Sequence, residues 1–130
     1  MRTDAREKAF QLIFERLFIK ENYTFDDEFF NSLKKEEDKT FAKELVCLFE
    51  QNKDTLQNLV TKNLVNYHLS RVYKVDLALI YLALTEISYL KTPTQVVVNE
   101  TLEIAKKYST EKSSKFINGV LSSILKSESK

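Results

Sequence analysis

Asn99–Leu125, NETLEIAKKYSTEKSSKFINGVLSSIL, is the stretch whose reading decides the fold. Phe116, Ile117, Val120, Leu121, Ile124 and Leu125 recur at helical spacing, and the chain's single glycine, Gly119, falls inside that pattern. A glycine in a helix interior costs about 1 kcal/mol relative to alanine. The expected offset is close approach of another helix or a ligand at Gly119. Just upstream, Lys112, Ser113, Ser114, Lys115 and Phe116 set cations, hydroxyls and a ring at a helix start. Single-stranded nucleic acid suits such groups, because cations and N-terminal N–H groups meet phosphates while a ring stacks on bases.

Outside this stretch the composition points the same way. One glycine and one proline in 130 residues leave few turn-formers for a hairpin-rich β fold, and abundant Glu, Lys, Leu and Ala favour helices. The expected architecture is all-α, a compact bundle of six to seven helices forming a single domain over residues 1–130. Apolar runs are too short to cross a membrane, and MRTDAREKAF lacks the apolar core of a signal peptide. The lone cysteine, Cys47, has no disulfide partner and is expected to be half-buried among Val46, Leu48 and Phe49. Together these features predict a cytoplasmic protein.

A net charge of +1 hides an uneven distribution. Residues 1–20 sum to +2, 21–50 to −5, 51–90 to +1 and 91–130 to +3. Two basic ends that met in space would form a modest positive face.

The first helix is expected from about Asp4 to Lys20, capped by Thr3 or Asp4, with Phe10, Ile13, Phe14, Leu17 and Phe18 inward. Arg2, Arg6, Lys8 and Gln11 lie at or near its start, where cations oppose the helix dipole. Thr24 or Asp26 would cap a second helix to Leu33, turning Phe25, Phe29, Phe30 and Leu33 inward. A long helical region, about Asp38 to Tyr67, is interrupted at Asn52. After a break at His68–Lys74, VDLALIYLALTEISYL (Val75–Leu90) is apolar nearly all round and belongs at the centre of the bundle. Thr92 is expected to cap the next helix, with Pro93 at its first position and Gln95 closing a capping box. Ser109 or Thr110 caps the last one. Asn99 and Asn118 are expected as buried amides tying helices together.

Chemistry beyond binding finds no support. His68 and Cys47 are the only residues of their kinds, nothing brings them together, and no glycine-rich phosphate loop appears. No catalytic residue, metal site or cofactor is expected.

The segments Val98-Asn99-Glu100, Leu102-Glu103-Ile104-Ala105-Lys106 and Ser114-Lys115-Phe116-Ile117-Asn118-Gly119-Val120-Leu121 resemble the C-terminal signature of the NusB family of bacterial transcription antitermination factors. Ala5-Arg6-Glu7 with Ala9, Gln11 and Leu12 resembles the family's first-helix motif. Asp76, Ala78, Leu82-Ala83 and Glu86 resemble its central helix. The resemblance spans nearly the whole chain and implies an all-helical bundle in two packed subdomains. It also implies binding of single-stranded boxA RNA jointly with the ribosomal protein NusE. The complex would join the RNA polymerase elongation complex with other Nus factors to suppress premature termination.

Carried over by position, Arg2, Arg6, Lys8 and Gln11 become the first-helix RNA contacts. Lys112, Ser113, Lys115 and Phe116 become those of the last helix, with Phe116 open to either a core or a stacking role. Lys112 stands where the family often has an acid, which adds positive charge there. Glu86 and Tyr89 become the NusE-facing pair. The scheme requires the first and last helices to lie side by side, in a monomer or a homodimer. Two other readings remain at this point. One is a helical protein-interaction module, which the small net charge favours. The other is the NusB-like domain that precedes ribosomal RNA cytosine methyltransferases; those chains continue well beyond such a domain, so an end at Lys130 points to the free-standing factor.

Overall fold

The computed structural model describes residues 2–18, 27–64 and 68–128. These form α1 (Arg2–Arg16), α2 (Glu36–Gln51), α3 (Lys53–Lys62), α4 (Lys74–Tyr89), α5 (Thr94–Tyr108) and α6 (Glu111–Glu128). Short 3-10 turns at Asp27–Phe30 and Leu69–Arg71 complete the order. No strand occurs among the described residues.

The core is built around α4. Every residue from Asp76 to Glu86 is buried, so this helix has no solvent face over that span. It packs against each of the other five helices. Leu77, Leu79, Ile80, Leu82 and Leu84 are its main apolar side chains, and full burial of one such residue is worth about 1.5–3 kcal/mol. α1 contributes Ala5, Ala9, Phe10, Leu12 and Ile13, while α6 contributes Ile117, Val120, Leu121 and Ile124. All belong to one contiguous cluster.

Several local expectations shift. α1 begins at Arg2, which places Thr3 and Asp4 in its first turn rather than at a cap, and ends at Arg16. Phe18 therefore leaves the inward stripe and stands exposed. The proposed caps Thr24 and Asp26, and Phe25, lie outside the described residues. The segment that follows is a single 3-10 turn rather than a helix, though Phe30 and Leu33 are buried as its pattern suggests. At Asn52 the chain divides into two helices. The Asn52 side-chain amide donates to the Leu48 carbonyl at 2.9 Å, and its backbone N–H goes to Leu48 and Phe49.

α5 starts one residue later than the capping motif suggests: Pro93 occupies the cap, and no side chain caps the helix. Thr110 does cap α6, since its Oγ1 accepts the Ser113 N–H at 3.2 Å. Cys47 is exposed, as are Asn99 and Asn118, so neither amide ties helices together. Each lies on the solvent side of an amphipathic helix whose buried stripe is mainly aliphatic.

Gly119 also departs from expectation. It lies in the interior of α6 and is exposed, and a Cβ built there would meet nothing within 4 Å. Among the described residues no other helix approaches it closely.

Candidate nucleic-acid interface

The resemblance assigns Arg6 to RNA and Glu86 to the NusE-facing side, and the fold pairs the two with each other. The Arg6 guanidinium donates through Nε to Glu86 Oε1 at 2.7 Å and through Nη2 to Oε2 at 2.6 Å. Arg6 is 5% exposed and Glu86 0%. The bidentate contact to Glu86 raises the Arg6 pKa further, against the opposing effect of burial, with Glu100 adding a smaller attraction. Glu100 lies 3.7 Å from Arg6 and accepts from the Thr3 hydroxyl at 3.4 Å. This polar knot fastens α1, α4 and α5, and a guanidinium so engaged is closed to phosphate. Tyr89, the other partner candidate, is half-buried against the core.

Nor do α1 and α6 lie side by side. α1 packs on α2 and α4, α6 packs on α5 and α4, and no substantial packing joins α1 to α6. α5 bridges them instead. Gln11 Nε2 donates to the Tyr108 hydroxyl at 2.9 Å, the Phe10 and Tyr108 rings meet tilted with centroids 5.0 Å apart, and Lys107 pairs with Glu7 at 2.8 Å. The end of α5 thus carries the surface of α1 across to the start of α6.

Tyr108 also lines a cleft of about 600 Å³ whose α6 wall is Lys112, Ser113 and Phe116. Lys112 is exposed, Ser113 buried and Phe116 half-buried. Phe116 packs against the core and also lines this cleft and a second groove of about 260 Å³. That second groove runs past Lys115 and the bare backbone at Gly119 to Asn63 at the end of α3. Ser123 fixes its far side by donating to Asn63 Oδ1 at 3.0 Å.

The structure therefore gathers Gln11, Lys112, Ser113, Lys115 and Phe116 along one surface and leaves the rest elsewhere. Arg2 lies over the Phe41 ring at 4.3 Å and Lys8 over Phe29 at 4.6 Å, on the α2 side of α1. Two contributors went unassigned in the sequence. Tyr108 carries no role in the sequence reading, and Asp76 enters it only as part of the central-helix motif. Asp76, buried in the first turn of α4, lines the floor of the larger cleft. Burial raises its pKa, and hydrogen bonds from Ser113 and Ser109 partly offset that rise.

The model described as "NusB family" matches residues 3–126. The chain belongs to the NusB family. It is 41% identical over 128 residues to a transcription antitermination protein NusB of Clostridium botulinum, covering 94% of this chain and 96% of that one. A Listeria welshimeri protein of the same name is 42% identical over 124 residues, covering 95% and 94%. These NusB relatives are matched over nearly their full length, which disfavours the methyltransferase-linked alternative. Among solved structures, T. maritima NusB superposes with a TM-score of 0.83 at 28% identity, covering 97% of this chain and 91% of that one. A crystal structure of antitermination factors NusB and NusE in complex with dsRNA gives 0.85 at 28% identity, covering 97% and 96%.

Proposed function

We propose that this chain is a transcription antitermination factor that binds single-stranded boxA RNA together with NusE and acts within the RNA polymerase elongation complex in the cytoplasm. One observation carries the reading: Gln11, Tyr108, Lys112, Phe116 and Lys115 follow one another across the junction of α1, α5 and α6. Cations alternate with rings there, as a single strand requires. The crystallised complex of antitermination factors NusB and NusE with dsRNA supports NusE and RNA as partner classes. No catalytic step is assigned.

With few exposed cations on this surface, binding by the isolated chain is weak and salt-sensitive, and NusE strengthens it. Fluorescence anisotropy with a boxA oligonucleotide and a scrambled control, with and without NusE, tests this. The double variant Lys112→Glu, Lys115→Glu weakens boxA binding and flattens the plot of log affinity against log salt by about 1.4, at about 0.7 per single-strand phosphate contact. Equal affinity for boxA and scrambled RNA under both conditions would overturn the proposal and leave a protein-interaction module in its place.

A further inference from the structure

The larger cleft has a second wall, opposite α6, that the RNA surface described above does not use. Arg71 ends the 3-10 turn before α4, and Val72 and Tyr73 lead into the helix. Tyr73 is 75% exposed, the most open of the large hydrophobic side chains described. Tyr73 lines the same cleft as Tyr108 and Phe116. Aromatic groups thus line the cleft from both sides, at a volume within the range of about 300–1,000 Å³ usual for small-ligand sites. Arg71 and Lys112 stand exposed at its rim, and no ion pair holds either of them among the described residues.

Asp76 gives the cleft its chemistry. It is 3% exposed, and among the described residues no cation pairs with it. Its carboxylate receives the Ser109 hydroxyl at 3.1 Å and a hydrogen bond from Ser113. A carboxylate accepts about four hydrogen bonds, so acceptor positions remain for a ligand.

We propose that this cleft is a nucleobase pocket selective for guanine, with the base between the Tyr73 and Phe116 sides, its N1–H and 2-amino group donating to Asp76, and flanking phosphates meeting Arg71 and Lys112. Only guanine presents two adjacent N–H donors on its pairing edge, matching the two carboxylate oxygens. Adenine and cytosine each set one amino group beside an acceptor nitrogen, which a carboxylate repels. Uracil flanks its single N–H with two carbonyls. The inference rests on the RNA-binding reading and adds to it a base preference and the residue that sets it.

The test uses the full chain and uridine heptamers bearing one central guanosine, inosine or adenosine, read by fluorescence anisotropy. Inosine keeps N1–H and lacks the 2-amino group, so it isolates one of the two contacts without altering the protein. The guanosine strand binds tightest and the inosine strand about tenfold more weakly, the loss expected for one well-placed base contact. Asp76→Asn removes that discrimination. Tyr73→Ala, at an exposed position outside the core, weakens all three strands together by about tenfold through lost stacking. Equal binding of guanosine and inosine strands by the native chain would overturn the inference, as would an unchanged ratio in Asp76→Asn. If boxA still binds in those cases, the function stands and the guanine pocket alone fails. If neither boxA nor any heptamer binds, both fail.

Discussion

Both ends of α4 bury a carboxylate, and the two are treated in opposite ways. Asp76 and Glu86 lie ten residues apart, about 15 Å along the helix. Glu86 is sealed against the Arg6 guanidinium, with both oxygens engaged by a full positive charge. Among the described residues Asp76 receives hydrogen bonds from Ser109 and Ser113 and no cation, and it borders an open cleft. The first arrangement locks helices together. The second holds a buried carboxylate with no counter-charge among the described residues, which is unfavourable for stability.

The contrast breaks most visibly at the sealed end. Glu86→Ala leaves the Arg6 guanidinium buried with only the longer 3.7 Å contact to Glu100, and breaking such a buried pair costs about 3–5 kcal/mol. Urea unfolding should show this as a large fall in midpoint, while Arg6→Met with Glu86→Leu recovers much of it by removing both charges. A single variant no less stable than the native chain would show that the ion pair holds nothing together.

A smaller effect of opposite sign is expected near the open end. Gly119→Ala meets no neighbour, so it gains helix propensity and stabilises the fold by up to about 1 kcal/mol. The same variant lowers RNA affinity if the bare α6 backbone is kept for a close-lying strand. Thermal melting and anisotropy on one preparation separate the two effects.

The smallest effect is read only through pH. The Asp76 pKa is raised above its ordinary 3.8 by burial, so the folded state binds this proton more tightly than the unfolded chain. Stability from this site therefore falls as pH rises from about 3.8 through the folded value, and it returns on acidification. Asp76→Asn removes the dependence. Its melting temperature relative to the native chain should be more favourable at neutral pH than near pH 4, and a constant difference across that range would mean that Asp76 carries no desolvation penalty.

Much of the fold was legible because helical periodicity and burial are local patterns. The apolar run Val75–Leu90 announced the central helix, and the break at Asn52 and the Thr110 cap stood in the right places. The last-helix motif Lys112–Phe116 fell on one surface because a short helical segment fixes its own side-chain directions. What failed required knowledge of neighbours. Whether a first-helix arginine reaches solvent depends on what faces it, and Glu86, eighty residues away, takes Arg6 out of reach. Gly119 looked like a contact between helices, yet only packing could show that no helix comes near.

By itself the sequence determined an all-helical chain, the identity of its buried central helix and the family to which it belongs, since periodicity and motif spacing are written in adjacent residues. Only the tertiary structure decided which charges are internal ties and which remain exposed. Charge pairing at a distance depends on how helices cross, and here α5, rather than direct packing of α1 on α6, joins the first helix to the last.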